Sequence, residues 1–369
     1  YMFKRRWNDL LAALRESGVK GIAIMPGPNM FYLTGLSMGL SERPALLAIT
    51  EDGKASFVMP ELESQKGHMV SERMKDHDVP VDFQVFSYSD EEGPAKAFEA
   101  AFMSSSGTWA LEFRSLRLLE YSLMKRVIGD FLWVDASDIM KELRMVKDEN
   151  EVKSMQEAAR LADLGVGIAK ELLTPGKKAI EIVVEIERQL KIQGAQAVSM
   201  SLATGVNTAI PHAGTSADVI SEGDLAWLDL CVNVCGYWSD ITRTYPIGQI
   251  SDEMKEVYGV VLEAQEQAML NAKPGMSGAD VDALAREIIA SHGYGEHFIH
   301  RTGHGLGLEI HEDPYIVASN HDVLPIGSTF TIEPGIYLPG KGGVRIEDDV
   351  LLTAAGLKSF TTYPRNLLN

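Results

Sequence analysis

"TPGKKAIEIVVEIERQLKIQGA", residues Thr174–Ala195, has a counterpart in "KPGMSGADVDALAREIIASHGY", residues Lys273–Tyr294. Pro175, Gly176 and Gly194 match Pro274, Gly275 and Gly293, each 99 residues on. In both stretches Pro-Gly precedes a helical run that ends at glycine, a start and a stop in the expected order. The likeness continues downstream. "EGDLAWLDL" and "PIGSTFTIEP" each place a carboxylate six residues after a glycine, Gly223 to Asp229 and Gly327 to Glu333. "GYWSD" and "GVRIE" each place one four after a glycine, Gly236 to Asp240 and Gly343 to Glu347. Each half reads as helix, loop, strand ending near a carboxylate, turn, and strand starting near a carboxylate. Two such halves packed about a pseudo-twofold axis would bring four carboxylates to its centre. The competing reading is chance, because glycine-rich turns between strands are common.

Upstream, residues 1–138 alternate helix and strand signals. "VKGIAIMP", "PALLAIT" and "TWALEF" are short apolar runs, so strands, and "LRLLEYSLMKRVIG" is helical. This first domain is α/β in character and holds no catalytic constellation. A charged helix is expected from Ser137, "SDIMKELRMVKDENEVKSMQEAARLADLGVGIAKELL", and the second domain takes residues 139–369.

The bulk numbers narrow the function classes. A chain of 369 residues exceeds one ordinary domain of about 100–200 residues. Its 34 Lys and Arg against 52 Asp and Glu give a net charge of −18, which disfavours nucleic acid and anionic membrane surfaces as partners. "KRRWNDLLAALRESGVK" reads as an amphipathic helix rather than a signal peptide, and no apolar run is long enough to span a membrane. Cys231 and Cys235 make no disulfide framework; they are expected to be buried free thiols in a strand and a turn, and the compartment is expected to be cytoplasmic.

Asp229 in "LAWLDLCV" and Glu333 in "TFTIEPGIY" are embedded in apolar runs that should be buried. A buried carboxylate is costly unless it is paired, protonated or bound to a metal. Asp240 and Glu347 should open the following strands, with Arg345 on the face of Glu347. Two divalent cations would cancel the −4 of the four carboxylates. His304, in "HRTGHGLGLEIHEDP" (His300–Pro314), adds an imidazole nitrogen. Four carboxylates and one histidine are mainly hard donors, suited to Mn²⁺, Co²⁺, Fe²⁺ or Zn²⁺. Bridging carboxylates favour two metals about 3.5–4 Å apart.

The ordered series Asp229, Asp240, His304, Glu333 and Glu347 resembles the five-ligand set of the pita-bread metallopeptidases. The matching stretches are "WLDLCVNVCGYWSDITRT", "HRTGHGLGLEIHEDP", "TIEPGIY" and "GVRIED", and "NMFYLTGL" resembles the amino-terminal domain of the prolidase and aminopeptidase P branch. The resemblance implies an α/β creatinase-like amino-terminal domain and an α+β pita-bread catalytic domain with an internal pseudo-twofold repeat. It also implies a two-metal peptidase, with manganese the expected ion, that hydrolyses the Xaa-Pro bond of short peptides, and a homodimer. By the same resemblance Glu333 would shuttle the proton, His311 and His212 would face the substrate and aid catalysis, and His300, Arg345 and Tyr337 would line the substrate site. Thr242, on the strand face of Asp240, would orient it.

Two alternatives keep the same scaffold: a hydrolase of a non-peptide amide or ester, and a non-catalytic binding protein. Within the peptidase reading, strict prolidases of one type carry an arginine in a His-Glu-x-Pro-Arg pattern that reads the substrate carboxylate. Here the pattern is His311-Glu312-Asp313-Pro314-Tyr315, and no Arg or Lys occurs between His311 and Glu333. The expectation is therefore an enzyme that accepts residues beyond proline, cleaving Ala-Pro-Ala as well as Ala-Pro.

Overall fold

A computed structural model describes residues 2–103 and 106–368. The chain divides into two compact units, Tyr1–Arg144 and Met145–Asn369. The sequence reading puts the boundary after 138; the division falls later, at the end of the helix that begins there.

The first unit runs α1 (Met2–Glu16), β1 (Gly21–Ile24), α2 (Pro28–Thr34), β2 (Leu46–Thr50), β3 (Lys54–Pro60), α3 (Ser64–Asp76), β4 (Asp82–Tyr88), α4 (Ala95–Phe102), β5 (Thr108–Leu111), α5 (Leu118–Ile128), β6 (Leu132–Asp135) and α6 (Ser137–Met145). Its sheet has the order β4-β3-β2-β1-β5-β6. The expected strands at "GIAI", "LLAIT" and "TWAL" are present. The amphipathic reading of the first stretch also holds: α1 buries Trp7, Leu10, Leu11 and Leu14, one stripe at helical spacing.

The second unit comprises α7 (Glu149–Leu172), α8 (Ala179–Ile192), β7 (Ala197–Thr204), β8 (Leu225–Val234), β9 (Tyr237–Pro246), α9 (Asp252–Asn271), α10 (Gly278–Ser291), β10 (Gly303–Gly305), β11 (Glu312–Ile316), β12 (Thr329–Ile332), β13 (Gly335–Leu338), β14 (Gly342–Arg345), β15 (Asp348–Thr353) and β16 (Gly356–Ser359). The charged segment from Ser137 is two helices rather than one. It breaks at Val146, which bridges to Ser328, and restarts at Asp148, whose side chain forms a capping box with Glu151.

The repeat is physical. α8 and α10 begin and end 99 residues apart. The residue two before each helix accepts an equivalent hydrogen bond: Ile220 N donates to Lys177 O at 2.9 Å, and Leu324 N to Met276 O at 2.9 Å. Each half has its own core. Leu161, Ile182, Ile186, Leu202, Leu228 and Leu230 pack in the first; Val261, Val281, Ile289, Phe330, Ile332 and Val350 pack in the second. Helices cover one face of each half's strands, so the opposite faces are left to converge on the site. Strands β7-β8-β9 form one sheet and β11-β10-β12-β15-β16 another, and the Thr242–Glu347 bridge joins the halves. Among the described residues no helix is long and apolar enough to cross a membrane.

Candidate metal centre

The β8–β9 hairpin builds the first half of the site. Its two-residue turn, Cys235-Gly236, has φ of 52° and 86°, the left-handed pair of a tight hairpin. That turn fixes the register, with Asp229 opposite Thr242 and Cys231 opposite Asp240. Since side chains alternate, Asp229, Cys231, Asp240 and Thr242 share one face. Asp240 lies inside β9 rather than opening it.

The second half supplies His304 from β10, Glu333 just past β12, and Glu347 between β14 and β15. The glycines around His304 have a steric reason. A Cβ at Gly303 would lie 1.8 Å from the carbonyl oxygen of Thr331, and one at Gly305 would lie 2.3 Å from the Asp313 carbonyl. Only bare backbone lets β10 fit between β11 and β12. Glu347 is not on a strand with Arg345, which ends β14; it is held by the bridge to Thr242, with Glu347 N donating to Thr242 O at 3.1 Å.

All five predicted donors line one cavity of about 440 Å³, together with His212, His300, Arg301, His311, Arg345 and Cys231. Asp240, His304 and Glu347 offer donor atoms within 4.8 Å of one another, and so do Asp229, Cys231 and Asp240. The two groups share Asp240. His304 Nδ1 lies 3.0 Å from Gly305 O, so its proton belongs there and Nε2 faces the cluster, 3.2 Å from Glu333 Oε1 and 3.9 Å from Asp240 Oδ2.

Burial pushes the Asp240 and Glu347 carboxyls well above their ordinary range, and repulsion among these two, Asp229 and Glu333 pushes further. Burial also lifts Glu333, to about 7, against the pull of Arg345. His304 falls to about 3 and His300 to about 4, chiefly through burial, so both imidazoles are neutral and able to ligate or accept. Asp240 Oδ1 is buried with no hydrogen-bond partner among the described residues. Crowded acids, a neutral imidazole and an orphaned oxygen fit a pair of divalent cations.

A layer of donors holds the cluster. Arg345 donates to Asp229 Oδ2 at 2.7 Å and to the Thr242 hydroxyl at 3.1 Å, over the face of Trp227. Thr242 donates to Glu347 at 2.6 Å, and Thr331 to Glu333 at 3.0 Å. The Arg345 ion pair is with Asp229 of the other half rather than with its sequence neighbour Glu347. Tyr337 is buried behind the wall, outside the cavity lining, with its hydroxyl 2.9 Å from His300 Nε2 and 3.0 Å from Arg345 Nη1. His311 sits edge-on to His304, ring centroids 4.3 Å apart, and the strand that follows it, β11, is tied down by the buried Lys147–Glu312 pair at 2.6 Å.

Arg301 and Cys231 line the cavity in places the sequence reading did not give them. Arg301 lies 4.5 Å over the Tyr315 ring and makes no salt bridge among the described residues. A cation beside a histidine motif carries no signal of its own. Cys231 faces the acids, whereas Cys235, expected to be buried, is exposed at the turn. The strand register that aims Cys231 inward could have been read from Asp229 two residues before it.

Buried acids drawn from both halves of a repeated unit, around one neutral imidazole, define a metal-dependent hydrolase of the pita-bread class. Residues 153–354 match metallopeptidase family M24, and residues 6–146 match the creatinase/prolidase N-terminal domain. The chain belongs to metallopeptidase family M24. It is 36% identical over 373 residues to an Xaa-Pro dipeptidase of Pyrococcus furiosus, covering 99% of this chain and 100% of that one. Its structure is similar to a prolidase from Thermococcus sibiricus, with TM-score 0.92 and 36% identity over 100% of this chain and 99% of that one. It is also similar to an X-Pro aminopeptidase from Thermotoga maritima, with TM-score 0.83 and 32% identity over 98% of each chain.

Proposed function

We propose that this chain is an Xaa-Pro dipeptidase that works with two divalent metal ions. The observation that carries the reading is the joint presence, in one cavity, of the five-donor cluster and the Arg301 guanidinium, which makes no salt bridge among the described residues. Asp229, Asp240, His304, Glu333 and Glu347 would hold the ions. When bound, such ions polarise a scissile carbonyl and make water nucleophilic near neutral pH.

The chain's own residues do the rest. Glu333 takes a proton from the attacking water and returns it to the leaving nitrogen. His311 donates to the carbonyl oxygen as negative charge develops there, with His212 from the loop at Pro211 as a second donor. An Xaa-Pro amide has no N–H, so the site recognises ring shape instead, at the wall formed by His300. Tyr337 and the edge-on ring of Phe298, 5.2 Å from His300, hold that imidazole in place.

Arg301 bears on substrate length. The tolerance expected from Tyr315 rested on the lack of any Arg or Lys between His311 and Glu333. Arg301, stacked on Tyr315, supplies one, and its fork can bind both oxygens of a free proline carboxylate. The relatives named as Xaa-Pro dipeptidases favour the same conclusion, so the dipeptide replaces the longer peptide as the proposed substrate. The oxygen-dominated donor set by itself accommodates Mn²⁺, Co²⁺, Fe²⁺ or Zn²⁺. A homodimer in the cytoplasm completes the reading, and light scattering tests the assembly.

Rates on Ala-Pro, Ala-Pro-Ala and Ala-Ala, measured with protein reloaded with each metal, test the proposal. Cleavage of Ala-Pro alone is the expected result. Comparable rates on Ala-Pro-Ala would restore the aminopeptidase reading, and no peptide cleavage with metal bound would favour a non-peptide amide, an ester or a binding role.

A further inference from the structure

We propose that Cys231 is a metal-facing donor, making this centre a mixed sulfur–oxygen site that favours Co²⁺, Zn²⁺ or Fe²⁺ over Mn²⁺. The inference rests on the cavity holding divalent ions, as proposed above. The hairpin register sets Cys231 directly across from Asp240 and two residues from Asp229 on the same strand face. The thiol is 6% exposed and lines the cavity. Its sulfur and one oxygen from each of Asp229 and Asp240 lie within 4.8 Å of one another. Asp240, 4% exposed, contributes the buried Oδ1 that has no hydrogen-bond partner among the described residues. A core cysteine would pack its sulfur against apolar side chains; this one stands among acids.

Three donors at such spacing fit one ion, and the neighbouring group of Asp240, His304 and Glu347 fits the other. On binding, the thiol proton leaves to solvent and the sulfur lone pair goes to the ion, so loading releases one more proton than an all-carboxylate site would. Thiolate is the soft donor of the set. It strengthens binding of cobalt, zinc and ferrous iron more than that of manganese, which prefers oxygen.

The chain has two cysteines, so one substitution isolates the thiol. Cys235→Asn removes the exposed one, and asparagine tolerates the φ of 52° at that turn. The Cys235→Asn protein is loaded with Co²⁺ and its near-ultraviolet spectrum recorded alongside elemental analysis. A thiolate-to-cobalt charge-transfer band that rises with bound cobalt is expected. Adding Cys231→Ser should abolish the band while cobalt stays bound. Two cobalt ions bound without the band overturn the role of Cys231 and leave the metal reading standing. Persistence of the band in the double variant also overturns it. A protein that binds no cobalt overturns both.

Discussion

Arg345 ties the two halves of the centre together: its guanidinium donates to Asp229 of one half at 2.7 Å, from a strand that ends two residues before Glu347 of the other. Through the Thr242 hydroxyl, 3.1 Å from its Nε, the same group supports Glu347, which Thr242 contacts at 2.6 Å. One cation therefore orients two acids drawn from opposite repeats.

Replacing Arg345 with Met should damage the site more than the loss of a surface ion pair would. The guanidinium side chain is 3% exposed but that of Asp229 is 31% exposed, so the cost should fall below the ~3–5 kcal/mol of breaking a fully buried pair. Arg345→Lys should recover little, because one ammonium cannot reach Asp229, Thr242 and Pro211 O together. Thermal melts and metal titrations of both variants check this; a Lys variant with full metal affinity would show that charge alone suffices.

Glu333→Gln keeps the size and one oxygen but cannot carry the proton. Turnover on Ala-Pro should fall at least about 100-fold with metal content unchanged. Steady-state kinetics beside elemental analysis decide the matter, and near-normal turnover would move the proton to another group.

Asp240 belongs to both donor groups, so Asp240→Ala should empty more than one position. The expected content falls from about two ions per chain to fewer than one, with activity lost in parallel. A variant that keeps two ions would mean Asp240 is not shared.

Arg301→Leu should raise KM for Ala-Pro and leave kcat within a few-fold, because the contact is made to the carboxylate and not to the reacting bond. The preference for Ala-Pro over Ala-Pro-Ala should shrink by at least about tenfold. An unchanged ratio would remove Arg301 from substrate reading.

Metal removal should make stability depend on pH in a defined direction. Burial raises Glu333 and Asp349 to about 7, and Asp240 and Glu347 are also raised. A carboxyl whose folded pKa exceeds its unfolded value stabilises the fold at low pH and loses that contribution as pH rises through the folded value. His304 and His300, depressed to about 3 and about 4, act in the opposite sense, but their gain is complete above the unfolded value near 6.5. The metal-free protein should therefore melt at lower temperature at about pH 8.5 than at about pH 7, and bound divalent ions should flatten the trend. Calorimetry at both pH values checks it.

The sequence was informative where spacing carries chemistry. A repeat at 99 residues, with glycines marking where strands turn, located four carboxylates by number before any strand pairing was known. His304 followed from its place in the ordered series that resembles the pita-bread ligand set, and the strand packing explains the steric need for its flanking glycines. The break in the helix at Val146 was not legible, because the Ser328 backbone that captures that residue lies far along the chain. The burial of Tyr337 was equally hidden, since four residues past an acid says nothing about which side of a wall a ring occupies.

Order and residue type along the chain determined the family and singled out five candidate donors, because a metal centre of this kind needs particular atoms from particular strands. Tertiary structure decided which acid Arg345 holds, that Cys231 faces the acids while Cys235 faces solvent, and that Arg301 stands over Tyr315 in the cavity. The alternation from Asp229 hints at the face of Cys231, but the contacts themselves depend on close approach between segments distant in sequence, which no local pattern of side chains encodes.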